Sequence, residues 1–166
     1  MSNNDKPLVV VLMGSESDWK TMERVHQTLG DFDVPHTCRV LSAHRTPGLL
    51  ADYVRETEEN GAEVFIAGAG LAAALPGAVA ALTTRPVLGV PIQTGALNGH
   101  DALLAMAQMP PGIPVGTLAI GTPGATNAAL LAIAILGNKY TEYADKLQAY
   151  RMKQADKIAA TVLPCS

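Results

Sequence analysis

Charge is what this chain has least of: 16% of its 166 residues are Asp, Glu, Lys or Arg, while 48% are hydrophobic. So little charge leaves too little polar surface for a free-standing monomer, and extensive burial between subunits is expected. What charge there is sums to -3, with a pI near 5.7. That balance excludes nucleic acid and anionic membrane as partners. Cysteine is scarce too. Cys38 and Cys165 make no disulfide framework and are expected to be free thiols in a reducing compartment. Residues 1–7 lack a basic region leading into an apolar run. They are expected to be a short polar tail rather than a signal peptide, and the protein to be cytoplasmic. Residues 64–84 and 102–138 carry no charge, but Gly and Pro interrupt both repeatedly. The longest clean piece, 128–136, is far too short to cross about 30 Å of hydrocarbon. No group of His, Cys, Asp or Glu has metal-ligand spacing, so no metal is expected. No Ser-His-Asp arrangement is readable from the order of residues.

What is present is an alternation of strands and helices. Residues 8–13 form a continuous Val-rich run, as a strand buried on both faces of a parallel sheet would. Trp19, Met22, Val25 and Leu29 then recur at helical spacing. Residues 35–41 read as a second strand, and Pro47 opens a helix that Asn60-Gly61 stops. Residues 63–67 are expected as a third strand, 71–82 as a helix opened or kinked by Pro76, and 86–90 as a fourth strand. A helix over 101–108, a fifth strand over 115–120, an apolar helix over 125–136 and a more polar helix from 140 to about 161 complete the pattern. The expectation is a single domain over 1–166, with a polar tail (1–7), an α/β core (8–137) and a C-terminal helix and tail (138–166). Its fold class is α/β: three α/β/α layers around a flavodoxin-like parallel sheet of about five strands. The helix over 125–136 lacks a polar face. Either another subunit covers it or the C-terminal helix of the same chain does.

In such a sheet, ligands bind at the carboxyl ends of the strands, where the strand order reverses. The segments after the first three strands are Gly14–Asp18, Ser42–Pro47 and Gly68–Gly70, and all three fall on that rim. Gly14-Ser15 at a strand end favours an anion through backbone N–H groups, with hydroxyls from Ser15 and Ser17. Asp18 suits ribose hydroxyls, and the two together suggest a nucleotide; a plain helix cap explains the same pair. His44 beside the fixed charge of Arg45 is a candidate proton acceptor next to an anion partner, although a loop histidine is often structural. Gly68-Ala69-Gly70 would let a ligand approach the backbone. Gln108-Met109-Pro110-Pro111-Gly112 would form a rigid wall, of this site or of a neighbouring subunit's.

Five motifs occur in order: Met13-Gly14-Ser15-x-Ser17-Asp18-Trp19, Ser42-Ala43-His44-Arg45-Thr46-Pro47, Ala67-Gly68-Ala69-Gly70 with Leu75-Pro76-Gly77, Val87-Leu88-Gly89-Val90-Pro91, and Gln108-Met109-Pro110-x-Gly112-Ile113-Pro114-Val115. Together, over about residues 8–137, they resemble the class I PurE family of N5-carboxyaminoimidazole ribonucleotide mutases of purine (IMP) biosynthesis. The resemblance implies an isomerase with a flavodoxin-like fold, a homo-octamer with sites near subunit boundaries, and no metal or organic cofactor. It implies transfer of a carboxylate from the exocyclic nitrogen to a ring carbon, through CO2 trapped in a closed pocket, with His44 as general acid/base. Ser15, Asp18 and Arg45 match nucleotide-binding positions. Ser42, Ser17, Gly14, Ala69, Gly70 and Leu75 complete the implied substrate contacts. Many relatives carry a glycine and a second histidine where this chain has Leu71 and Ala74, so no role of that histidine transfers. Class II relatives, which carboxylate aminoimidazole ribonucleotide with free CO2, typically carry Lys at the position of Arg45. The alternatives are that carboxylase and a nucleotide-binding paralogue without turnover.

Overall fold

The computed structural model describes residues 6–165, so most of the expected polar tail lies outside the described residues. Five strands form one parallel sheet: β1 (Val9–Met13), β2 (His36–Val40), β3 (Val64–Ala69), β4 (Val87–Pro91) and β5 (Gly116–Thr117). Their order is β2-β1-β3-β4-β5, the flavodoxin-like order. β1 is apolar at every position because it lies between β2 and β3 and is covered on both faces; all five of its residues are buried.

Six helices cover the sheet: α1 (Trp19–Asp31), α2 (Pro47–Glu59), α3 (Leu75–Ala80), α4 (His100–Ala107), α5 (Thr122–Gly137) and α6 (Thr141–Ala159). Side chains alternate across each strand and so build two cores. Val9, Val11, Met13, Val64 and Ile66 pack with Met22 and Leu29 of α1, Ile133 of α5 and Leu147 of α6. Val10, Leu12, Phe65 and Ala67 pack on the other side with Leu50 of α2, Val79 of α3 and Met106 of α4. Burying one such Val, Leu or Phe side chain contributes about 1.5–3 kcal/mol. None of the helices is long and apolar enough to cross a membrane, among the described residues.

Three sequence expectations change, and one open alternative is decided. β3 continues through Gly68 and Ala69, because Gly68 pairs with Met13 of β1 and with Val90 of β4. The expected helix over 71–82 forms only from Leu75 to Ala80; Leu71 and Ala73 have φ of 53° and 27°, which no right-handed helix accommodates. β5 is two residues long rather than six. Leu118 N–H bonds the Gly89 carbonyl, but the next bond, to the Pro91 carbonyl, comes from Gly121 instead of Ile120. One extra residue has thrown the chain out of register. Finally, α5 needs no second subunit to explain most of its apolar surface. It lies against α1 and α6 of its own chain, burying Ala125, Ala128, Ala129, Ala132, Ile133 and Leu136. Leu131 remains 40% exposed.

Candidate active site

The rim segments meet. A cleft of about 510 Å³ is lined by Gly14, Ser15, Ser17 and Asp18 after β1, by Ser42, Ala43, His44 and Arg45 after β2, and by Ala69 to Leu75 around the end of β3. Every residue expected to touch substrate is on this wall. Sequence reasoning missed Thr94, which lines it from the segment after β4. The signal was available, since β4 neighbours β3 and its following loop must reach the same rim.

After β1 the chain enters a single 3-10 turn, Glu16–Asp18, before α1. Ser15 caps it, and the Asp18 carboxylate accepts a bond from the Ser15 N–H at 3.0 Å. The helix-cap explanation of the Ser15/Asp18 pair is therefore realised in the fold. The expected anion seat is occupied from within, because the carboxylate takes the N–H group of Ser15. The hydroxyls remain on the wall: Ser17 Oγ donates to Ser15 Oγ at 3.1 Å. Burial raises the Asp18 carboxyl above its ordinary value; the N–H groups of Ser15 and Gly14 and the Arg45 charge pull the other way.

The turn after β2 is held by its own side chains. Thr46 Oγ1 accepts from Ser42 N–H at 3.0 Å and donates to the Ser42 carbonyl at 3.1 Å. Ser42 Oγ accepts from the Arg45 backbone N–H at 3.2 Å and from Arg45 Nε at 3.3 Å. Arg45 Nη2 then reaches across to the Gly14 carbonyl at 2.8 Å. The guanidinium thus ties the β1 and β2 loops together at the mouth of the cleft. Between these fixed neighbours the His44 side chain is exposed, and no hydrogen bond holds its imidazole among the described residues.

The glycines after β3 serve packing before they serve a ligand. A Cβ on Gly68 would run into the Met22 side chain, and one on Gly70 into Thr94. The proline-rich wall goes elsewhere as well. Gly112, Ile113 and Pro114 line a larger cleft of about 770 Å³ at the amino ends of β4 and β5. In its own chain this segment does not close the His44 cleft. None of the other described histidines lines the cleft: His100 Nδ1 meets the Leu97 carbonyl at 2.9 Å, and His26 meets His36.

Comparison with known proteins adds to this geometry. The family model described as AIR carboxylase matches residues 8–157. A protein of Aquifex aeolicus named N5-carboxyaminoimidazole ribonucleotide mutase is 56% identical over 142 residues, 86% of this chain and 84% of that protein. One of the same name from Saccharolobus solfataricus is 52% identical over 157 residues, covering 95% and 98%. The chain spans only 16% of the bifunctional purine synthesis protein purC/E of Dictyostelium discoideum, at 53% identity. Among solved structures, the crystal structure of Treponema denticola PurE superposes with a TM-score of 0.84 at 30% identity, covering 92% of this chain and 94% of that one.

Proposed function

The chain belongs to the AIR carboxylase family, and from that membership we propose that it converts N5-carboxyaminoimidazole ribonucleotide to 4-carboxyaminoimidazole ribonucleotide in purine biosynthesis. The observation that carries this reading is the exposed His44, with no hydrogen-bond partner among the described residues, in a cleft that also holds Ser15, Asp18 and Arg45. The names of the two mutases at 52% and 56% identity support it.

Carboxylate transfer from nitrogen to carbon needs one proton given and one taken. His44 protonates the exocyclic nitrogen as its bond to the carboxylate breaks, leaving an amine and CO2. The ring carbon attacks CO2, and the imidazole takes the proton that carbon sheds, so His44 ends as it began. The hydroxyls of Ser15 and Ser17 receive the phosphate, while Asp18 accepts from ribose hydroxyls. Arg45 and Ser42 face the carboxylate. Gly14, Ala69, Gly70 and Leu75 complete the contacts, and the apolar 69–75 wall keeps CO2 from water. In the assembly, a homo-octamer, a neighbouring copy closes the open side. No step calls for a metal or an organic cofactor.

The test is to mix purified protein with the carboxyamino substrate and follow product by absorbance, beside His44→Asn. Aminoimidazole ribonucleotide with bicarbonate runs in parallel. Conversion of the first substrate, lost in the variant, supports the mutase. Turnover of the second pair alone makes the chain a carboxylase, and binding without turnover makes it a nucleotide-binding paralogue.

A further inference from the structure

Beside the edge strand β2, away from the rim, three metal-ligating side chains come together that are scattered in the sequence. His26 lies on α1, and its Nδ1 is 2.8 Å from His36 Nε2. One donor atom from each of His26, His36 and Cys38 lies within 4.8 Å of the other two. Strand alternation is the cause. His36 and Cys38 are two apart on β2 and share the face toward α1. Thr37 and Arg39 take the other face, where Tyr53 receives them: its hydroxyl is 3.3 Å from Thr37 Oγ1, and its ring centroid is 4.4 Å from the Arg39 guanidinium carbon. A cation that would repel a metal is thereby turned away.

We propose that His26, His36 and Cys38 bind a borderline divalent transition metal, zinc foremost, as a site with three protein ligands and one position for solvent.

The orientation of His36 is the second, independent observation. Its Nδ1 is 2.7 Å from the Val34 carbonyl. A carbonyl only accepts, so Nδ1 carries the proton and Nε2 presents its lone pair to the cluster. A backbone anchor on the far nitrogen is the usual arrangement behind a metal-bound imidazole. Without metal, His26 Nδ1–H donates into that lone pair, and the two rings satisfy one another. Donor atoms around tetrahedral zinc stand about 3.3–3.8 Å apart, given bonds of ~2.0–2.1 Å to nitrogen and ~2.3 Å to sulfur. The two nitrogens have only to part slightly and the sulfur to draw in. The His26 side chain is exposed on α1, with the Trp19 ring centroid 5.9 Å from its own. Two imidazoles and a thiol, with no carboxylate, suit zinc or cobalt and not magnesium or calcium. Burial pushes the Cys38 thiol up to about 11, so it holds its proton until a metal displaces it. Binding forms two metal–nitrogen bonds and one metal–sulfur bond. It sends the thiol proton and the displaced waters to solvent, and moves the His26 proton to Nε2. No electron is transferred. The site is separate from the His44 reaction and does not depend on it.

Cobalt(II) is the probe, because a thiolate ligand gives it a charge-transfer band and a tetrahedral site gives it strong visible bands. The full chain carrying Cys165→Ser, which removes the other thiol, is titrated with cobalt(II) and then with zinc(II). One equivalent of cobalt should develop both bands, and zinc should bleach them and raise Tm. Cys38→Ser should abolish the charge-transfer band, and His26→Gln should weaken affinity at least about tenfold. His26→Gln lies on an exposed helix position and keeps the fold, which circular dichroism checks; it decides the matter if Cys38→Ser does not fold. Absence of the charge-transfer band in the parent, its survival in Cys38→Ser, or unchanged affinity in His26→Gln overturns the site.

Discussion

His44 and Asp18 show how differently two residues of one cleft relate to the fold. The His44 side chain is exposed and makes no hydrogen bond among the described residues. His44→Asn is therefore expected to lower kcat about 10²–10⁴-fold while moving stability by less than about 0.5 kcal/mol. A steady-state assay beside a thermal melt checks both. Asp18 is the opposite case. Burial, the largest influence, raises its carboxyl despite the N–H groups of Ser15 and Gly14 and the nearby Arg45. A carboxyl raised in the fold contributes stability that is full below its ordinary value, about 3.9, and is lost as pH climbs through the folded value. At neutral pH ionised Asp18 works against the fold. Asp18→Asn should hold or raise Tm at pH about 7 while raising KM; a Tm fall of more than about 3 °C would count against this account. Leu71 is strained in a third way. At φ of 53° it costs about 1–2 kcal/mol relative to a right-handed conformation. The sequence gives no sign of this at a leucine; the structure shows the left-handed backbone there all the same. The placing of His44 and Arg45 on the rim was legible, because the motif follows a strand directly. The occupied seat under Asp18 was not, because a capping box and an anion site share one pattern until the N–H groups are followed.

Elements were legible where one force dominates. β1 is buried on both faces and reads as such; α2 has Pro47 in its first turn and Gly61, at φ of 108°, just past its end. They were illegible where the outcome turns on register or on one backbone angle. β5 and the shortened α3 are the examples, since neither the slip after Leu118 nor the φ of Ala73 has a residue signature. Gly124 makes a sharp test of element packing. An Ala in place of Gly normally favours a helix by about 1 kcal/mol, but here its Cβ would strike the Ala119 carbonyl on the chain leaving β5. Gly124→Ala should therefore destabilise, by about 1–3 kcal/mol in urea unfolding; a stabilised variant would refute the close approach. The junction between α5 and α6 has a pH signature. Burial alone would raise the Glu63 carboxyl, but bonds from Lys139 Nζ and the Tyr140 hydroxyl, each 2.6 Å, outweigh it and hold it below its ordinary value. Stability from a lowered carboxyl is present above its ordinary value, about 4.3, and is lost as pH falls through the folded one. Wild type should lose this part of its stability across that range, and Glu63→Gln, already lacking it, should show a shallower acid decline in parallel urea titrations.

At the scale of the whole molecule, the convergence of three loops on one rim followed from topology alone, since the strand order sends the ends of β1, β2 and β3 to one place. The destination of the 109–114 loop did not follow, because nothing in its composition says which end of the sheet it faces. The low charge has a structural counterpart in exposed Leu49, Leu97 and Leu104, at 59%, 60% and 58%. These suit the octamer proposed above. Sedimentation equilibrium should return eight chains per particle, and a monomer at working concentrations would end that proposal and leave the cleft open on one side. The Asp18 carboxylate has a consequence for the crowded solution around the enzyme. By occupying the Ser15 N–H after β1, it acts as a resident guest in a place that simple anions would otherwise visit. A bare phosphate or sulfate meets a like charge there and has little to give it. A ribonucleotide brings hydroxyls that the same carboxylate can receive. On the proposed substrate, the loop would then act as a filter by occupancy, admitting a sugar with its phosphate and turning away the phosphate alone.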